Sequence, residues 1–410
     1  MKIATPLELT SPLRRRRSWR DHLARMRSFR TELQFRHECT NGDWVRVGPA
    51  PLPMRVNVVY DRYPHHATRS GYPLLAEGLA RHADVRRLAP AHPLAIPRRL
   101  TRWMADRAGM PQYGPRSAEL ELAVAGRLAL GLPEICHFFY AEQNFRFAAA
   151  MSPVRRGAIV CTYHQSREYF DVLVPDHQLP ARADAVIVVS EHQAQILRET
   201  VPAERVHVVP LGIDTAYYRP GKADDSHRVI FVGEHRRDFD ALTEVAARCG
   251  ELRPDLRLEA ITTAEHAAAL SSLPNVTARS GVPDEELVRS YRSAKVLLLP
   301  LLSATANNAL LEGMSCGLPV VATDVGGVRE YVDEHCAILV APGDSQGMAC
   351  AVLDLIGDRS RRERMGLASR RRALSFDWAR VAERQLDVYR EVLAQPRAGR
   401  SSPRRPGIRR

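Results

Sequence analysis

The segment Leu298–Glu330, LLPLLSATANNALLEGMSCGLPVVATDVGGVRE, concentrates the residue types that could do chemistry. An apolar strand ends at Pro300, a loop of small polar residues follows, and a helix is predicted over Asn307–Cys316, before a second strand opens at Val320. The first turn of such a helix projects free N–H groups and the positive end of its dipole, which suits a phosphate. Glu312 stands a turn and a half into that helix among Leu310, Leu311 and Met314. A carboxylate at that depth can accept two hydrogen bonds from a vicinal diol such as a ribose, or can close the helix's solvated face; its apolar neighbours favour the first. No Asp-x-Asp stands at a strand end as a metal-ligand pair would, and His65-His66 has no third ligand at metal spacing, so no metal site is expected.

A site of this kind needs strands to carry it. From Met54 onward short β-branched runs alternate with helical segments: Met54–Tyr60, Ile135–Phe139, Ala158–Thr162, Ala185–Val189 and Val206–Val209. A polar stretch with Pro and Gly near 213–226 reads as a linker, after which the alternation restarts at Val229–Val232 and continues through Leu256–Ile261, Val296–Leu299, Val320–Ala322 and Ala337–Val340. Isolated apolar strands separated by helices imply parallel sheets covered on both faces. The expected fold class is therefore α/β, with two Rossmann-like domains facing across a cleft and ligands held at the carboxyl ends of their strands. The divisions expected are a basic extension 1–53, a first domain 54–213, a second domain 214–376, a helix 377–393 outside the alternation, and a disordered basic tail 394–410.

Composition excludes several classes. At roughly 150 residues per domain, 410 residues suggest two or three domains. The longest apolar stretch, Val296–Leu302, is far short of the roughly 20 residues that cross a bilayer, and no apolar run follows the N-terminal arginines as a secretory signal would require. Seven scattered cysteines without a C-x-x-C pair read as reduced thiols in a cytoplasmic protein. The net charge of +12 lies entirely at the ends: residues 1–53 hold eleven basic and five acidic residues, and 394–410 hold six arginines and no acid. Of 59 basic and 47 acidic residues, 42 of each remain in 54–393, so a basic groove for nucleic acid is not expected.

The segment 298–330 resembles the nucleotide-binding part of the family 4 (group 1) glycosyltransferases of GT-B architecture. The resemblance extends over roughly 54–393: ADAVIVVSEH (183–192) is similar to the end of the family's first domain, VVPLGIDTAYYRP (208–220) to the turn before its linker, VIFVG (229–233) to the opening strand of its second domain, and FDWARVAERQLDVYREVL to a C-terminal helix that returns to the first domain. The resemblance implies a retaining, metal-independent transfer of a sugar from a nucleotide-sugar donor, a co-substrate with no further cofactor, to a hydroxyl on a sugar, lipid-linked or metabolite acceptor. Helix N-termini and arginines can stabilise a diphosphate leaving group without a metal.

By the same resemblance His164, at a strand end in VCTYHQSREYF, matches the active-site histidine beside the donor sugar, with Arg167 and Glu168 on its loop. Gly71 belongs to the first strand-to-helix loop, where the family admits donor phosphate and acceptor, and Gly233 opens the phosphate loop of the second domain. Three departures stand out. The family has two glutamates eight positions apart; Glu312 is the second, but Ala304 occupies the first place, where the carboxylate would contact the donor sugar. Asn307 and Asn308 replace a glycine and an apolar residue, and their amides could bind a sugar or phosphate, or Asn307 could serve only as helix cap. After Gly233 the family has an Arg and then a Lys for the diphosphate; here Arg236 and Arg237 are the nearest substitutes, of which one projects into the cleft if the role is kept. Gly326-Gly327 reads as a tight turn under the nucleotide or as a purely structural one.

In the extension, Trp19, Leu23, Met26, Phe29 (or Arg30) and Leu33 recur at helical spacing beneath Arg14–Arg17, Arg20, Arg25 and Arg27, a pattern that binds anionic membrane surfaces, packs on the protein body, or precedes a true start at Met54. The leading function is thus glycosyl transfer in surface polysaccharide or glycolipid synthesis, cytoplasmic or peripheral at the inner membrane face. The alternatives are a GT-B nucleotide-sugar epimerase and a non-catalytic nucleotide-sugar-binding relative.

Overall fold

The computed structural model describes residues 36–40, 43–47, 53–60, 71–88, 96–151, 155–221 and 227–395. The helix expected in the extension, the histidine pair of 61–70 and the tail beyond 395 lie outside them. The chain divides into two units, 1–53 and 54–410. In the first, β1 (Arg36–Thr40) and β2 (Asp43–Val47) pair as an antiparallel hairpin that the sequence reading does not place.

The second unit holds two six-stranded sheets, parallel throughout. The first is built from β3 (Arg55–Val59), β4 (Asp84–Leu88), β5 (Ile135–Phe138), β6 (Ala158–Tyr163), β7 (Ala185–Val188) and β8 (Val206–Val208), in the order β4-β3-β5-β6-β7-β8. Its helices include α1 (Pro73–Leu79), α2 (Arg98–Arg107), α3 (Pro115–Leu130), α4 (Ala141–Asn144), α5 (Arg167–Leu173) and α6 (Glu191–Leu197). The second sheet, in the order β11-β10-β9-β12-β13-β14, comprises β9 (Arg228–Val232), β10 (Arg257–Ile261), β11 (Val276–Arg279), β12 (Val296–Leu299), β13 (Val320–Thr323) and β14 (Ala337–Val340). The associated helices are α7 (Phe239–Leu252), α8 (Ala264–Leu270), α9 (Asp284–Ser293), α10 (Asn308–Ser315), α11 (Val328–Tyr331), α12 (Ser345–Gly357) and α13 (Arg359–Leu374).

The central strands are short β-branched or leucine-rich runs because both of their faces are covered: every residue of β5, β6, β7, β12 and β13 is buried. In each sheet the strand order reverses at one place, between β3 and β5 in the first and between β9 and β12 in the second. Those reversals leave a crevice at the carboxyl ends, where loops from opposite sides of the sheet diverge.

The last helix, α14 (Trp378–Ala394), leaves the second sheet and packs on α1 of the first. Its crossing is tied to the other crossing segment: Ile213 N donates to Phe376 O at 2.9 Å, Trp378 N donates to Ile213 O at 3.2 Å, and Thr215 Oγ1 donates to Asp377. A side chain at Gly212 would fall 2.4 Å from the Trp378 ring, so the two crossings close together only because residue 212 has none. Farther along α14, Tyr389 Oη lies 2.7 Å from Nδ1 of His137, whose Nε2 is 2.6 Å from Thr162 Oγ1. That imidazole is fully buried with both nitrogens bonded to hydroxyls, and burial pushes its pKa down to about 3. No described helix is long and apolar enough to cross a membrane.

Candidate functional site

The two reversals face one another across a cavity of about 530 Å³, within the range of sites for small molecules and cofactors. Its wall brings together eight of the residues that the sequence singles out: Gly71 and His164 from the first sheet's loops, and Gly233, Arg236, Arg237, Asn307, Asn308 and Glu312 from the second's.

The second-domain wall is organised around Arg237. Gly233, just past β9, has φ of 108°, and a Cβ there would lie 2.6 Å from Nη2 of Arg237. The glycine therefore supplies both a backbone conformation that other residues avoid and the room for the guanidinium. Arg237 Nε donates to Val232 O at 3.1 Å, Nη1 to His235 O at 3.0 Å and Nη2 to Asn307 Oδ1 at 3.3 Å. All three acceptors are neutral, and among the described residues no carboxylate stands within ion-pair distance of this side chain. Burial pushes its pKa down to about 10, so the cation is short of solvation, a condition that an anionic ligand in the cavity would relieve.

Arg236 is held differently. It is the single described non-glycine residue with positive φ, at 55°, a conformation that raises backbone energy and is found mostly where the surroundings enforce it. Its Nε donates to Ser303 Oγ at 3.0 Å, and its guanidinium lies 5.5 Å from the Tyr169 ring centre across the cleft.

Asn307 caps α10: its Oδ1 accepts from Leu310 N at 3.1 Å while also receiving Arg237. The cap and the contact with the cavity cation are thus one group. Asn308 and Ala309, in the first turn of α10, complete this wall with the positive end of the helix. Glu312, one turn deeper, is 4% exposed, and Tyr291 Oη donates to its Oε2 at 2.9 Å. Burial, and next the Glu312 charge, push both Tyr291 and Tyr218 well above the usual phenol range, so both stay protonated beside the carboxylate. Ala304 lies on the same wall, its backbone fixed by Gly327 N, which donates to Ala304 O at 2.8 Å. A Cβ at Gly326 would lie 2.1 Å from that oxygen, so the glycine pair seats the 303–306 loop from behind and does not itself line the cavity.

The first-domain wall presents His164 at the end of β6, its side chain 17% exposed. Nδ1 lies 3.2 Å from Oε1 of Glu142, Tyr72 meets the ring edge-on with centres 4.6 Å apart, and Tyr140 lies at 5.0 Å. Thr305 Oγ1, from the opposite domain, donates to His164 O. Two further ties cross the cleft: Glu330 accepts from the backbone N–H groups of Glu191 and His192 at 2.6 and 2.9 Å, and Tyr331 Oη donates to Val189 O at 2.6 Å. Sequence reasoning missed Glu142, Tyr72, Tyr140, Tyr291, Thr305 and Glu330. None stands in a spacing that marks it, and each acts through a partner more than twenty residues away or on another element. Arg167 and Glu168, by contrast, do not line the cavity; Arg167 is engaged by Glu199 and Asp171. Among the described residues no group of three His, Cys, Asp or Glu could hold a metal ion.

Comparison with known proteins agrees with this architecture. Residues 74–217 match the family model described as Glycosyltransferase Family 4, and residues 226–358 match the model described as Glycosyl transferases group 1. A D-inositol 3-phosphate glycosyltransferase of Nocardia farcinica is 31% identical over 58% of this chain and 63% of its own length. An alpha-maltose-1-phosphate synthase of Mycolicibacterium smegmatis is 32% identical over 52% of this chain and 64% of its own. The chain thus spans less than two thirds of the length of these relatives. Among solved structures, a sucrose-phosphate synthase from Thermosynechococcus elongatus superposes with a TM-score of 0.64 at 19% identity, covering 83% of this chain and 99% of the other. Anabaena HepE in complex with UDP-glucose superposes with a TM-score of 0.61 at 16% identity, covering 82% and 100%. These likenesses carry the fold, and the two family models between them cover the strands from β4 to β14 and the cavity residues around His164 and from Gly233 to Glu312. The chain belongs to the family 4, group 1 glycosyltransferases.

Proposed function

We propose that the protein transfers a sugar from a nucleotide-sugar donor to a hydroxyl acceptor, with retention at the anomeric carbon and without a metal ion. The observation that carries this reading is the half-buried guanidinium of Arg237, held by neutral acceptors at the wall of the cavity beside the N-terminus of α10. A diphosphate placed there meets one cation directly, a second in Arg236, and the helix dipole. Glu312, already oriented by Tyr291, receives the ribose diol. Gly233 and Gly71 let backbone approach the phosphates, Asn308 adds an amide at the helix start, and Asn307 serves by fixing Arg237. The donor sugar then faces His164, Tyr72 and Tyr140, where the acceptor hydroxyl also enters. The new bond forms between that oxygen and the anomeric carbon, the bond to the β-phosphate breaks, and the hydroxyl proton leaves with the nucleoside diphosphate. The protein's share of the work is charge stabilisation on the departing phosphate.

Retention and metal independence rest on the family resemblance. The names of the relatives, a D-inositol 3-phosphate glycosyltransferase and an alpha-maltose-1-phosphate synthase, favour a small polyol or sugar acceptor over a long polymer. Of the six cysteines from Cys136 to Cys350 five are buried and all six are free, which supports a reducing compartment. Ala304 favours a second reading, in which the chain binds or epimerises a nucleotide-sugar without transferring it. Product analysis with a panel of UDP-, GDP- and ADP-sugars and sugar or inositol-phosphate acceptors, in chelator, separates the readings. Transfer yields a glycoside of the donor's own anomeric configuration; an epimerised donor, or no product despite binding, overturns the proposal.

A further inference from the structure

Glu142 is completely buried on the four-residue helix α4, and among the described residues the one group that engages its carboxylate within hydrogen-bond distance is Nδ1 of His164, 3.2 Å from Oε1. Its Oε2 is buried with no partner. Among the described residues no arginine or lysine lies within ion-pair distance of it. A buried carboxylate so poorly satisfied is costly relative to an apolar residue of its size, and packing alone does not account for it. Two other buried polar atoms nearby also have no hydrogen bond, Tyr163 Oη and His164 Nε2. The contrast with Glu121, a buried carboxylate on α3 that accepts from Tyr113 Oη and three backbone N–H groups, shows what a purely structural glutamate looks like in this fold.

We propose that Glu142 is the positioning residue of the site: its carboxylate fixes the His164 ring with Nδ1 as donor, leaving Nε2 as the acceptor the ring offers to a sugar hydroxyl. This rests on the glycosyl-transfer reading for its chemical purpose. A lone pair on Nδ1 would face the lone pairs of Oε1 and be repelled, so the proton of a neutral imidazole belongs on Nδ1. The rest of the residue is fixed as well. Tyr72 and Tyr140 bracket the ring, and Thr305 holds its backbone carbonyl from the other domain. Nε2 is then the single polar atom of the ring without a partner, on a residue that lines the cavity. A hydroxyl bonded there would remove an unsatisfied buried acceptor, a gain present only when substrate is bound.

The test uses the full chain with ¹⁵N-labelled histidine, in wild type, Glu142→Gln and Glu142→Ala, the His164 ring being assigned by its loss in His164→Gln. Wild type and Glu142→Gln, which keeps an acceptor oxygen, are expected to show the Nδ1–H form. Glu142→Ala is expected to show a mixture of forms or the Nε2–H form. In transfer assays Glu142→Ala should lose about ten- to a hundred-fold in kcat with little change in donor KM, and Glu142→Gln should recover most of it. An unchanged tautomer in Glu142→Ala, or an equal kcat loss in both variants, overturns the proposal. If wild type shows no transfer, the glycosyl-transfer reading fails while the tautomer still decides the role of Glu142. If Glu142→Ala does not fold, a Glu142→Gln spectrum in the Nε2–H form overturns it alone.

Discussion

Arg236 and Arg237 are adjacent in sequence, yet their surroundings assign them unequal shares of an anionic ligand. Arg237 is pinned at three points inside the wall, whereas Arg236 bonds Ser303 and reaches toward Tyr169 across the cleft. Replacing Arg237 by alanine should cost roughly 1.5–3 kcal/mol of diphosphate stabilisation, about ten- to a hundred-fold in kcat/KM, and Arg236→Ala distinctly less. Steady-state kinetics of the two variants check this; equal losses would contradict the geometry. Gly233→Ala should resemble Arg237→Ala, because a Cβ there displaces the guanidinium. Glu312→Gln should keep the fold, since the amide oxygen can still accept from Tyr291, and should weaken nucleotide affinity by at most a few kcal/mol, read by calorimetric titration. Residue types at these positions were legible in the sequence because each sits at a strand end or helix start. What was not legible is that Asn307 is at once a cap and a partner of Arg237, or that a buried glutamate on α4 backs His164.

At the scale of elements, the strands read most easily were those buried on both faces, such as AIVCTY and VLLL. The edge strands β4 (DVRRL) and β11 (VTAR) escaped because one side of each is open and their exposed residues break the apolar run. The Ile213–Asp377 pairing that joins the crossings was equally invisible, since it links segments 164 residues apart through single backbone bonds. His137 gives the docking of α14 a pH dependence. Its pKa falls from the ordinary imidazole value of 6.5 to about 3 through burial and, second, the nearby His164. The unfolded chain therefore takes up a proton below about pH 6.5 that the folded chain refuses, so the stabilisation present above that pH is lost as pH falls toward 3. Thermal melts should show Tm declining over that interval, with a shallower decline in His137→Gln. Identical slopes in the two proteins would exclude His137 as the cause.

For the molecule as a whole, charge and fold divide the labour. The neutral body, 54–393, holds both sheets and the cavity, while the formal +12 belongs to the two ends. If the extension contacts anionic lipid, deleting 1–53 should abolish co-sedimentation with anionic vesicles in low salt and spare the nucleotide affinity of the body. Pelleting that is equal with and without the extension would remove that role. The central claim, that the cavity is a nucleotide-sugar site, is tested most directly by calorimetric titration of the full chain with UDP, GDP and ADP in chelator, repeated with Arg237→Ala. At least one nucleoside diphosphate should bind wild type without added metal, and the variant should bind it about ten- to a hundred-fold more weakly. Binding of none of the three, or equal binding by the variant, would contradict the account.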